Sequence, residues 1–162
     1  MSDSMTMSDA AVALRSLPRR FKEVASGPVG DDAWERLVRT PDVSGKSALG
    51  WVAQTSALLS ELGIALSGLA TTVKPTVDLA PAEATMHEVA SSVTVASVLG
   101  DLSSGAERAA SAIEARRHDD LDRHVSVDGS DVAASDLVVR IVRAAVANIR
   151  HAAAALDAAR GR

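Results

Sequence analysis

The sequence predicts an all-α fold, a bundle of four long helices. Three observations lead there. Apolar residues recur at three- and four-residue steps over several long stretches, the spacing of one helix face. The one run that could read as a strand, Ser92–Val98, has no evident partner strand, and a lone strand is not stable. Apolar residues make up 47% of the 162 residues but aromatics only 2%. The core must then be Ala, Leu, Val and Ile, and abundant alanine favours helix and close helix contact. One domain of this length can bury a sizeable core. It is expected over residues 9–160, behind a disordered tail at 1–8.

The first helix is expected from Asp9 to Ala25, with Ala11, Leu14, Leu17, Phe21 and Val24 as its stripe. Pro18 should kink or break it, because proline lacks the amide proton that the helix needs. Gly27-Pro28 ends it. Asp31 or Asp32 can cap a short helix through Arg39. Thr40-Pro41-Asp42 breaks the chain again. A second long helix starts near Ser44 or Ser47 and runs to about Ala70, with Trp51, Leu58, Leu62, Ala65 and Leu69 on one side. Thr71–Pro81 is an irregular connection. A third helical region runs from Pro81 to about Arg117, with a bend or break expected near Gly100–Gly105. His118–Ser130 reads as a polar loop with turn chemistry at Asp128-Gly129. The last helix runs from Asp131 or Ser135 to Ala159. Leu137, Ile141, Ala144 or Ala145, Asn148, Ala152 and Leu156 form its inner face, and it should pack beside the second long helix.

Composition excludes several function classes. The net charge is −4, which argues against nucleic acid, a polyanion that needs a basic face. There is no cysteine, hence neither a disulfide framework nor a thiol nucleophile. The start of the chain lacks the basic segment and apolar run of a signal peptide. No apolar run comes near the ~18–20 residues of a membrane span. A cytoplasmic protein is the expectation.

Four motifs bear on chemistry. Ser44-Gly45-Lys46-Ser47 resembles the end of a phosphate loop, but the glycine that should precede it by five residues is Thr40, and no strand leads into it. A helix start with serine caps is the alternative. His87-Glu88 opens like a zinc-protease helix, but Ser91 stands where the second histidine belongs. His118 and His124 flank Asp119, Asp120 and Asp122, in a spacing that matches no standard zinc pattern. Asn148 lies on the apolar stripe of the last helix, and Gln54 takes a comparable place beside Trp51. A buried amide left unpaired costs about 1–3 kcal/mol. The two amides should therefore pair, reach solvent, or line a small polar pocket with Trp51 and His151.

These residues also carry a resemblance. Asp32-Ala33-Trp34, Ser47-Ala48-Leu49-Gly50-Trp51-Val52-Ala53-Gln54, Asp120-Leu121-Asp122-Arg123 with Gly129 and Ser135-Asp136-Leu137, and Ile141 through Asn148 resemble motifs of the DinB-like superfamily. Within it they are most similar to the mycothiol-dependent maleylpyruvate isomerase-like branch. The likeness spans most of the chain. It implies a four-helix bundle, and many such proteins bind a divalent metal through three histidines. Here the matching positions are Gln54, Ala144 and Asn148, so the resemblance implies a lost metal site. The expectation is a protein with no metal and no cofactor, working as a homodimer in a small-ligand-binding or scaffold role. The alternative is a thiol-dependent transferase or isomerase.

Overall fold

The computed structural model describes residues 4–25, 27, 31–83 and 89–161. The chain is mostly helical, and four long helices dominate it. Helix α1 spans Met7–Ala25. It begins two residues earlier than expected because Thr6 and Asp9 cap it reciprocally: the Asp9 N–H donates to Thr6 Oγ1 at 3.0 Å and the Thr6 hydroxyl donates to Asp9 Oδ2 at 2.6 Å. It runs through Pro18 without interruption. Helix α2 (Asp32–Arg39) is capped by Asp31, whose carboxylate accepts from the Ala33 N–H. Helix α3 (Ala48–Gly68) is capped by Ser47, which accepts from the Gly50 N–H at 3.0 Å.

The third helical region is shorter than expected. A single turn, α4 (Ala80–Glu83), and helix α5 (Val95–Ala115) replace it. The break falls ahead of Thr94, whose hydroxyl accepts from the Ser97 N–H and caps α5. Gly100 and Gly105 lie inside α5. Glycine costs a helix about 1 kcal/mol relative to alanine but keeps its hydrogen bond. Gly105 is buried against α3, where a Cβ would lie 3.5 Å from Leu59 Cβ.

The stretch expected as a polar loop is ordered. Helix α6 (His118–Leu121) leads into strand β2 (His124–Val127), a turn, and strand β3 (Ser130–Ala133). Asp128 and Gly129 both have positive φ, 51° and 82°, as a two-residue type I′ hairpin turn requires. Strand β1 (Thr76–Val77) adds to β2 in parallel, giving the order β1-β2-β3. This sheet corrects the expectation of a fold without strands. Val125 and Val127 face the core while His124 and Ser126 do not, a period-two pattern too short to stand out. Arg123 ties the sheet to the end of α3, donating to the carbonyls of Leu69 at 2.6 Å, Thr72 at 2.8 Å and Val73 at 2.9 Å.

The last helix, α7 (Ala134–Ala159), completes the core. Helix α1 packs on α5 and α7, and α3 packs on the same two, so α1 and α3 lie across from each other. Leu14, Leu17 and Phe21 of α1, Leu62 and Leu66 of α3, Leu102 of α5 and Ile141 of α7 are fully buried between them. By length and composition α3 is apolar enough to cross a membrane, which corrects the reading of the sequence. In this fold its leucines are core, while Ile64 is exposed.

Candidate functional site

The polar residues of the core gather at the N-terminal end of α3. The chain enters it through a tight loop. Asp42 Oδ1 accepts from the Ser44 N–H at 2.7 Å and from the Ser44 hydroxyl, and the Asp42 N–H donates to the Lys46 carbonyl at 2.9 Å. Gly45 takes φ 82°, a left-handed conformation open to glycine at no steric cost. The reversal turns Lys46 inward, and only 8% of it is exposed. Its ammonium donates to Gln54 Oε1 at 3.0 Å and lies 4.3 Å from the centre of the Trp51 ring.

Trp51 links α3 to α7. Its ring stacks on His151, centroids 4.5 Å apart and planes 23° from parallel. The indole N–H is buried with no acceptor in hydrogen-bond geometry, although it helps to stabilise the Asp42 carboxylate. One turn on, Gln54 donates to the Glu83 carbonyl at 2.6 Å, tying α3 to α4. Asn148 donates to Thr55 Oγ1 at 2.9 Å, and the Thr55 hydroxyl donates to the Trp51 carbonyl at 2.9 Å.

Two charges act on each other here. Burial pushes the Lys46 amine below the usual lysine range, and the Asp42 carboxylate offsets part of that. Burial alone would raise Asp42. The bonds from Ser44, the Lys46 amide and Trp51 outweigh it and hold the carboxyl below its ordinary value.

The structure thus brings Trp51 and His151 into direct contact and joins Gln54 to Trp51 through Lys46. Asn148 and Gln54 are both buried but do not bond to each other; each has its own partner. Ala144 is half-buried beside the core, and it is Ala145 that is fully buried. Reading the sequence missed Lys46 and Thr55. The Ser44–Ser47 segment was weighed only as a phosphate loop or a cap. The cap is what forms, and α2 rather than a strand precedes it. His118 starts α6 and His124 starts β2. Among the described residues, no three His, Cys, Asp or Glu side chains come together as a metal site. His87 and Glu88 lie outside the described residues.

No protein-family model, curated protein or solved structure matches this chain.

Proposed function

We propose that this chain is a DinB-like four-helix bundle, akin to the mycothiol-dependent maleylpyruvate isomerase-like branch, that has given up its metal centre and serves as a small-ligand-binding or scaffold protein. The two buried amides at the family's ligand positions lie on adjacent helices, α3 and α7, as that reading requires. The residues present do not fit a metal. Ala144 offers no donor atom, and Gln54 and Asn148 could offer only neutral amide oxygens, poor donors for a metal that prefers imidazole, thiolate or carboxylate.

The observation that carries the reading is the ammonium of Lys46 on Gln54 Oε1. That oxygen is the donor a metal would need, and a cation of the protein's own already holds it. A divalent ion placed there would face a like charge at contact distance. The role left to this end of the helices is structural or ligand-binding rather than metal-dependent thiol chemistry.

Zinc titration by calorimetry, with a thermal melt, tests it. The parent should show no binding at micromolar zinc. The triple variant Gln54→His, Ala144→His, Asn148→His should gain a clear shift, because imidazoles at i and i+4 on α7 and one on α3 can share a metal. Stoichiometric zinc in the parent would overturn the proposal. A folded triple variant that binds no zinc would refute the helix register on which the likeness rests.

A further inference from the structure

A groove runs along the outer face of the bundle between the C-terminal half of α3 and α5. Its volume is about 630 Å³, within the range of small-molecule sites. Leu59, Gly63 and Ile64 of α3 form its apolar side. Glycine at position 63 keeps it open, since a Cβ there would meet no atom within 4 Å. Ile64 is 58% exposed, a large apolar side chain left in water beside the groove. From Leu59 to Ser67 the groove follows α3 for eight residue steps. At the rise of a helix that is ~12 Å, about the reach of a saturated chain of roughly ten carbons.

Two charged residues of α5 border the groove, Glu107 and Arg108. Glu107 is fully engaged. Arg15 donates to its two oxygens at 3.1 and 3.2 Å, and the Ser111 hydroxyl donates to one of them at 3.0 Å. Arg108 is exposed and, among the described residues, forms neither an ion pair nor a hydrogen bond. The groove therefore presents one unmatched positive charge beside an apolar floor. We propose that it binds a free medium-chain carboxylic acid, with the ionised head on Arg108 and the tail along Leu59, Gly63 and Ile64.

Charge and shape select the head group. A guanidinium fork matches a planar carboxylate through two parallel bonds. A phosphate would call for a second cation, and the other one at this rim, Arg15, is already held by Glu107 and Glu114. An amine would be repelled by Arg108. The tail gains from the apolar floor, because each buried methylene adds to affinity. The groove lies beyond Leu59 on α3, away from Gln54 and Asn148, so its use does not depend on how the metal site was lost.

Calorimetric titration with decanoate at neutral pH, below the concentration at which it forms micelles, tests it. One saturable site should appear. Hexanoate should bind about tenfold weaker for want of buried methylenes, and decanol about tenfold weaker for want of the charge-assisted bonds. Arg108→Gln should weaken decanoate about tenfold and leave decanol unchanged. Gly63→Leu should fill the groove and abolish binding, yet melt no lower than the parent, since leucine favours helix over glycine. Absence of a saturable site, or binding that neither variant alters, would overturn the proposal. So would a dimer in sedimentation velocity that Gly63→Leu dissociates, which would make a second copy of the chain the occupant. None of these results touches the metal-free reading, whereas stoichiometric zinc in the parent would overturn that reading and leave the groove standing.

Discussion

The Asn148–Thr55 bond offers the sharpest test of how the core polar groups are held. Asn148 is 6% exposed and Thr55 fully buried, and the bond between them measures 2.9 Å. Asn148→Ala removes the donor. Thr55 keeps its own bond to the Trp51 carbonyl, so no buried donor is orphaned. The loss is that of one net hydrogen bond, about 1 kcal/mol. Thr55→Val does the opposite: it leaves the Asn148 amide N–H buried without an acceptor. That costs the larger penalty, about 1–3 kcal/mol. The double variant lacks both partners, so it should cost less than the sum by about 1 kcal/mol, within the usual range for contacting residues. Urea unfolding with an unchanged slope reads each value. In a thermal melt each kcal/mol should appear as a shift of about 2–4 °C for a domain of this size. Additivity within ~0.3 kcal/mol would show that no such bond forms. An Asn148→Ala variant costlier than Thr55→Val would refute the assignment of donor and acceptor.

Other parts of the fold make separate predictions. Arg15 on α1 bonds Glu107 and Glu114 of α5, and its hydrogen bonds hold both carboxyls below their ordinary value of 4.5. A carboxyl lowered in the folded state adds stability above its unfolded pKa and loses it as pH falls through the folded one. Arg15→Gln should therefore flatten the fall in stability below the ordinary glutamate range, and an unchanged acid unfolding profile would contradict it. Arg123→Lys cannot reach three carbonyls as a guanidinium fork does. It should cost about 1 kcal/mol in urea unfolding and speed amide exchange in β1. Gly129→Ala forces a Cβ into positive φ and should cost about 1 kcal/mol by the same assay.

Where the sequence was legible, the reason is local. The stripes of α1, α3 and α7 repeat over five or more turns, and capping residues such as Asp31 and Ser47 mark the starts. The packing of α3 beside α7 followed from those stripes. Extents failed where one residue was given too much weight. Gly100 and Gly105 looked like breaks, but α5 tolerates both, and the real boundary is Thr94. The hairpin was missed because its strands are four residues long. Only the Asp128-Gly129 turn announced it, and β1 exists through pairing with residues some 50 positions away. In the candidate site, helical spacing put Trp51, Gln54, Asn148 and His151 on neighbouring faces of α3 and α7. Their true partners were not legible. Thr55 is adjacent to Gln54 in sequence, yet it is the one that meets Asn148, and Lys46 reaches Gln54 only because Gly45 reverses the chain.

The order of the helices in space differs from their order in the chain, and this bears on synthesis. Helices α1 and α3 are made first, yet neither covers the other. Both wait for α5 and α7. At ~5–20 residues per second on a ribosome, the 47 residues from Gly68 to Ala115 take about 2–10 s. Through that interval α3, apolar enough for a lipid bilayer, has only the short α2 and a slight contact with α1 as native neighbours, and lacks α5 and α7, the two helices it packs on most. The nascent first half is thus a sticky, unfinished surface. It should depend on a chaperone or on nascent-chain shielding until α5 emerges, whatever the finished domain does.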